Sequence, residues 1–286
     1  MHIAVFLQYY HTPDCPTAAR PYALVERLAR DHDVTVITTR SWEENRLSNR
    51  FPWTPAGVNY VGLDVPYDNK MGSLRRLHSF LQYAVRAGVH ALRMDAPDLI
   101  IGSSPPLTVA ATAAAVASLQ DIPWVFEVQD LWPAFPLQMG AFPPIPGLSS
   151  LLHDLERMLY RDARRVITVS PDMSQHARTV APTADVSTLQ YGTDLRLVDA
   201  VSDGQCASLR RRFSLDRRFL VLYAGTFGRA NDLPTLLNTA KRFANRSDVL
   251  FAFAGHGYHE STVRRAARRL EHIRHLPPLP YPDALA

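Results

Sequence analysis

At 286 residues, 47% hydrophobic and 20% charged, the chain is long enough for one large domain or two ordinary ones with real cores, and its composition excludes a disordered polymer. Its formal charge of +4 is small but unevenly placed, and its two cysteines, Cys15 and Cys206, lie too far apart in sequence to suggest a disulfide framework or a cysteine metal quartet. The N-terminus carries no basic segment before its short apolar run, and the Ala-rich stretch Leu107 to Leu119 falls short of the ~20 residues that span a bilayer, so the expectation is a soluble, cytoplasmic protein with reduced thiols.

Apolar runs alternate with helical stripes almost from the first residue. Ile3 to Leu7 reads as a buried strand, and Leu24, Val25 and Leu28 recur at helical spacing after it. Asp33 to Thr38 is the next strand. Asp98 to Gly102 follows a long helix, a helix starts at Leu107, and Pro123 to Val128 is a further strand. Leu151, Leu152, Leu155, Met158 and Leu159 form another stripe leading into the strand Arg165 to Val169. Strands apolar throughout and joined by helices imply a parallel sheet covered on both faces, a doubly wound Rossmann-like α/β domain over residues 1–190.

Residues 191–217 lose this rhythm and read as a linker with a connecting helix. It restarts over residues 218–286 with the strands Phe219 to Gly225 and Val249 to Ala254, a helix from Val263 to Leu270, and a short third run, Ile273 to Leu276. Two to three strands make a poor free-standing core, and the proline-rich Pro277 to Pro282 reads as a loop leading onward. The expectation is therefore an incomplete second Rossmann-like domain.

Two glycine turns end strands of this second part: Gly225-Thr226 in Tyr223 to Gly228, and Gly255 with Gly257 in Ala254 to Gly257. Glycines admit a ligand close to the backbone, and a following helix start offers N–H groups to phosphate. Such turns also occur in α/β proteins that bind nothing there; two on neighbouring strands strengthen the nucleotide reading. In the first part, Glu127 and Asp130 stand at the carboxyl end of an otherwise apolar strand, where carboxylates need partners or serve a ligand. Asp130 also suits a helix cap. The segment from Leu131 to Gly147 reads as a long loop with no structure of its own, as functional loops often are. Arg20, at a helix start, reads either as an anion contact or as a solvated side chain.

From Leu74 to Met94 the sequence has no acidic residue, with Leu77, Leu81, Ala84, Gly88 and Leu92 on one helical face and Arg75, Arg86 and Arg93 opposite. This reads either as a solvated basic face or as a dock for anionic lipid headgroups. Arg264, Arg265, Arg268 and Arg269 segregate similarly on a later helix. Nucleic acid is not expected, because no interleaved aromatics or binding motif accompany these charges. The absence of G-x-x-x-x-G-K-[ST], of H-E-x-x-H and of a first-turn G-x-G-x-x-G argues against P-loop, zinc-protease and NAD chemistry.

With those residues in view, the sequence resembles GT-B glycosyltransferases of family 4, in particular the WbuB/WcaI-like branch of bacterial surface-polysaccharide enzymes. The resemblance rests on Thr17-Ala18-Ala19-Arg20, His32 to Thr38, Ser104 to Thr108, Phe126-Glu127-Val128-Gln129-Asp130-Leu131-Trp132-Pro133, Ser170-Pro171 and Tyr223-Ala224-Gly225-Thr226. It implies a retaining transfer, without metal or other cofactor, from a nucleoside-diphosphate sugar (often UDP-linked) to a lipid-linked or polysaccharide-precursor acceptor. It also implies an N-terminal domain that binds acceptor and a C-terminal one that binds donor. Glu127 and Asp130 would then serve the acceptor side as catalytic residues, and Gly225, Thr226, Gly255 and Gly257 would lie near the donor's diphosphate and nucleoside. The sequence departs from the pattern in three places: the first loop lacks the frequent Gly-Gly, Gln129 replaces a usual Arg, and Tyr191 a usual Asn. About a hundred residues of a typical member are missing after Ala286, so the alternative is an inactive fragment serving as a membrane- or partner-binding module. A sugar-nucleotide 2-epimerase on the same fold would need an acid/base set that the sequence does not show.

Overall fold

A computed structural model of the chain describes residues 1–16, 20–67, 71–140, 142, 145–215 and 218–286. It divides by contact into two compact units: Met1–Tyr10 with Arg20–Glu44 and Trp53–Gly192, and His11–Ala19 with Asn45–Pro52 and Thr193–Ala286.

The first unit runs β1 (His2–Phe6), α1 (Arg20–Leu28), β2 (Asp33–Thr39), β3 (Val58–Leu63), α2 (Ser73–Ala91), β4 (Leu99–Ser104), α3 (Leu107–Gln120), β5 (Trp124–Val128), α4 (Ala134–Gln138), α5 (Leu148–Asp162), β6 (Arg165–Thr168), α6 (Pro171–Val180) and β7 (Val186–Thr188). Its seven strands are parallel in the order β3-β2-β1-β4-β5-β6-β7. The order reverses between β1 and β4, and a crevice opens where the loops after them part company. Ile3, Ala4, Val5 and Phe6 are all buried, as an interior parallel strand requires. Gly102 in β4 lets α3 lie close, since a Cβ there would stand 2.6 Å from the Cβ of Ala113.

Two helical stripes differ from their sequence reading. The face of α2 turned to the sheet carries Ser79, Phe80, Tyr83, Ala87 and Ala91, while Leu77, Leu81 and Leu92 are exposed. The Tyr83 hydroxyl donates to the Ile37 carbonyl at 2.8 Å, which fixes that face. On α5 the buried residues are Glu156, Leu159 and Tyr160, with Leu151 and Met158 exposed. Glu156 tolerates burial because His176 of α6 bonds its carboxylate at 2.8 Å. The loop after β5 is not structureless: α4 forms inside it, and the Ala141, Pro143 and Pro144 part of that reading lies outside the described residues.

The second unit contains α7 (Leu195–Asp199), α8 (Asp203–Arg212), β8 (Phe219–Ala224), α9 (Leu233–Lys241), β9 (Val249–Ala254), α10 (Glu260–Arg269), β10 (Ile273–Leu276) and a single turn, α11 (Tyr281–Leu285). Its three strands are parallel in the order β10-β9-β8. Every residue of β9 is buried, with Phe251 and Phe253 packing under α9 and α10 while Leu250, Ala252 and Ala254 meet Leu215 and Leu276 on the other face. A reciprocal capping box of Ser202 and Gln205 starts α8.

Residues of the first loop serve this unit's structure. The fully buried Asp14 accepts hydrogen bonds from Arg46 at 2.7 Å, from the amides of Arg50 and Phe51 at 3.1 and 2.9 Å, and from Ser48. Burial works against its charge, yet these donors hold its carboxyl below the ordinary value. Arg50 also pairs with Asp283 of α11 at 2.9 Å, and the Tyr281 amide donates to the Pro13 carbonyl at 3.1 Å.

Burial lowers the imidazole pKa of His11 in the same loop to about 4. The folded protein then refuses a proton that the unfolded chain accepts below its ordinary 6.5, so this group costs stability as pH falls from 6.5 towards 4. We expect His11→Gln to remove about 2–3 kcal/mol of acid-side loss, read as a flatter pH profile of urea-unfolding free energy than the parent's. Parallel profiles would contradict the burial of a neutral imidazole.

Candidate active site

In the first unit the loops at the β1/β4 switch gather a polar cluster around Glu127, the fourth residue of β5. Register pairs Glu127 with Ser103 of β4, so both side chains leave the same sheet face side by side. The Ser103 hydroxyl donates to Oε2 at 2.5 Å and the Gln129 amide to the same oxygen at 3.0 Å. The other oxygen, Oε1, accepts from Nε and Nη2 of Arg20, the first residue of α1, at 3.2 and 2.8 Å. The Glu127 side chain is 4% exposed and that of Arg20 19%, so a buried charge meets a cation that still reaches solvent. An isolated carboxylate at this depth would be costly; four hydrogen bonds, two of them from a guanidinium, offset that cost.

Tyr191 completes the cluster. Its ring lies 4.4 Å from Cζ of Arg20, a cation–π contact, and its hydroxyl is 3.5 Å from the Gln129 amide oxygen. Its phenol is pushed up to about 12, first by burial, with Arg20 pulling down and the charges of Glu127 and Asp130 pushing up. Gln129 and Tyr191, two of the departures from the family pattern, thus meet in space and share Arg20 and Glu127 as neighbours. Asp130, the next residue but two, has no ion-pair partner among the described residues, and burial raises its carboxyl pKa above 3.8. Its charge is also felt by Tyr9, which follows β1 and packs at 5.1 Å on Tyr67. A small crevice beside the cluster is lined by Leu7, Gln8, Tyr9, Ser103, Ser104 and Gln129.

The two predicted carboxylates therefore stand in different states. Glu127 has both oxygens committed and holds Arg20 in place. Asp130, with no ion-pair partner among the described residues, is the open acceptor of the cluster. That arrangement can orient a hydroxyl group or stabilise a developing positive charge.

The four glycine-turn residues fall together in the second unit. Gly225 and Thr226 follow β8, and Gly255 and Gly257 follow β9. The turns are bonded to each other: the Gly225 amide donates to Ala254 at 3.0 Å, Phe227 to His256 at 2.8 Å, and His259 to Phe227 at 2.9 Å. A Cβ at Gly255, whose φ is +149°, would lie 2.0 Å from the Gly225 carbonyl oxygen. The glycine is needed for the two turns to touch. Beside them Arg229 lies 4.3 Å from the Tyr258 ring centroid, a cation at the same edge that no local sequence pattern marks. From the sequence Arg20 reads as an anion contact or a solvated side chain, because its partner lies 107 positions away. The one available signal was that a carboxylate ending an apolar strand requires a cation. Among the described residues no three His, Cys, Asp or Glu side chains gather into a group that could hold a metal.

A doubly wound sheet with a polar cluster at its switch point, plus a second parallel sheet with paired glycine turns, is an arrangement of the GT-B kind. Residues 17–192 match the model of the glycosyl transferase 4-like domain, and the chain belongs to that family. No curated protein sequence matches the chain. Among solved structures it is similar to a sucrose-phosphate synthase from Thermosynechococcus elongatus (13% identity, TM-score 0.68, 98% of this chain and 71% of that one). It is also similar to Anabaena Alr3699/HepE in complex with UDP-glucose (13%, 0.64, 99% and 71%). A third is a putative UDP-N-acetylglucosamine 2-epimerase from Listeria monocytogenes (12%, 0.58, 99% and 70%). At these identities the likeness is one of fold.

The stack of Tyr191 on Arg20 is separable from its hydroxyl contact. Tyr191→Ala is expected to lower unfolding free energy by about 0.5–1 kcal/mol, and Tyr191→Phe to leave it within about 0.5 kcal/mol of the parent, in urea titrations followed by circular dichroism. Equal losses in both variants would show that the ring does not support Arg20.

Proposed function

We propose that the protein is a retaining glycosyltransferase that moves a sugar from a UDP-linked donor to a lipid-linked or polysaccharide-precursor acceptor, as in the WbuB/WcaI-like branch of surface-glycan enzymes. The observation that carries this reading is the pair of touching glycine turns after β8 and β9, with the cation Arg229 beside them at the edge where a diphosphate would be met. Gly225, Thr226, Gly255 and Gly257 form the donor's diphosphate and nucleoside contacts. UDP as the donor carrier is supported by the similar Anabaena Alr3699/HepE structure, a complex with UDP-glucose.

Asp130 orients the acceptor hydroxyl or stabilises positive charge at the anomeric carbon, as its unpaired carboxylate allows. Glu127 acts as a positioning residue through Arg20, because both of its oxygens are already engaged. A same-face transfer requires no protein nucleophile, and none is assigned. No metal is assigned either: Arg229 is the charge-stabilising group for the leaving diphosphate.

Thermal unfolding of the full chain against UDP, GDP, ADP and their sugars tests the donor assignment. A ligand that binds only the folded form adds about 2.7 kcal/mol at a hundredfold excess over its dissociation constant. UDP and a UDP-sugar are expected to raise the midpoint with concentration while GDP and ADP do not. A rise with GDP or ADP alone would transfer the donor site to another base, and no rise with any nucleotide would overturn the proposal.

A further inference from the structure

The second unit holds a cavity of about 550 Å³ lined by four arginines, Arg218, Arg268, Arg269 and Arg274, and by one carboxylate, Glu271. Its place in the fold separates it from the glycine turns. Arg218 immediately precedes β8, Arg274 is the second residue of β10, and Arg268 and Arg269 end α10, whereas the turns follow the last residues of β8 and β9. The cavity therefore opens at the amino end of the sheet, opposite the edge that carries Gly225 and Gly255.

Three of its cations are not neutralised by carboxylates. Elsewhere in the unit exposed arginines have acidic partners: Arg246 pairs with Asp248 and Arg264 with Glu260, each at 2.7 Å. Arg268, Arg269 and Arg274 have no ion-pair partner among the described residues, and Glu271 at the same cavity pairs with none of them. Instead, Nη1 of Arg274 donates to the carbonyls of Glu271 and Ile273 at 2.7 and 3.3 Å, which fixes its guanidinium at the cavity wall. The macrodipole of α10 favours cations in its last turn and so accounts for Arg268 and Arg269. It does not account for Arg218 and Arg274, which reach the same cavity from the starts of two strands.

We propose that this cavity is a binding site for a compact phosphate polyanion, either inorganic pyrophosphate or a phosphorylated sugar. Like charges gathered on a concave surface raise one another's energy and are relieved by an anion, and guanidinium forks match phosphate oxygens two at a time. The volume falls within the roughly 300–1,000 Å³ of small-molecule sites. Ala267 and Leu270 are its apolar lining, and no aromatic ring stands there to stack a base, which favours a compact anion over a nucleotide or a nucleic-acid strand. The site does not depend on the donor assignment, so failure of that reading would leave it standing.

The test is isothermal titration of the full chain, at fixed ionic strength, with pyrophosphate, fructose 1,6-bisphosphate, sulfate and a single-stranded oligonucleotide. Pyrophosphate or the bisphosphate is expected to bind more tightly than sulfate and to lose affinity as salt rises, and the tighter of the two identifies the source of the phosphates. Arg268→Gln with Arg269→Gln should weaken that binding at least about tenfold, with far-ultraviolet circular dichroism unchanged because both side chains are exposed. Arg242→Gln with Arg265→Gln removes the same charge from exposed positions outside the cavity and should bind as the parent does. Arg229→Gln, at the glycine turns, should also retain this binding. Absence of binding, sulfate bound as tightly, or equal weakening in the two double variants would overturn the proposal. Loss in the Arg229 variant in place of the cavity variant would move the anion to the glycine turns, and a preference for the oligonucleotide would assign the surface to nucleic acid; either result contradicts the proposal.

Discussion

A carboxylate buried at the end of an apolar strand is the constraint on which the first unit's site depends. A carboxylate at that depth is costly unless donors surround it, and the fold supplies them for Glu127 from three other places. Ser103 comes from the neighbouring strand, Gln129 from the loop that follows, and Arg20 from the first turn of α1. The outcome is a cation fixed at the switch point of a parallel sheet, stacked by Tyr191 and next to the unpaired Asp130. Moving β4 against β5 by one residue would separate Ser103 from Glu127, so sheet register and site geometry are one requirement.

The second unit meets a different constraint with backbone rather than side chains. Its two glycine turns touch, and Gly255 has no room for even a methyl group against the Gly225 carbonyl. Carbonyls and amides of the turns bond each other, which fixes the shape of that sheet edge. The first unit relies on charge held by charge, the second on shape held by main-chain hydrogen bonds.

How far the sequence reveals this depends on whether the signal is local. Runs such as Ile3 to Leu7 and Val249 to Ala254 are apolar at every position and declare buried parallel strands without outside help. The glycine turns and the Glu127/Asp130 pair are likewise visible because each is contiguous. β3 and β7 escaped notice because Val58–Leu63 mixes polar with apolar residues and Val186–Thr188 is only three residues long. The Arg20–Glu127 pair is invisible to any local rule, since it arises only once β1 and β5 are placed on either side of β4. On α2 the periodicity is plain but its meaning is not: the helix has two apolar faces, and the aromatic-and-alanine one faces the core. Alanines at 87 and 91 allow the close approach, while leucines there would hold the helix away from the sheet.

The account's central claim, that Glu127 exists to hold Arg20, is tested most directly by a double-mutant cycle. Arg20→Met and Glu127→Gln would be made singly and together, and unfolding free energies measured in urea. The account predicts coupling of about 1–3 kcal/mol, with the double variant losing less than the two single losses combined. Additivity within about 0.3–0.5 kcal/mol would mean that the two side chains are neighbours without being partners, and the account of the site would fail.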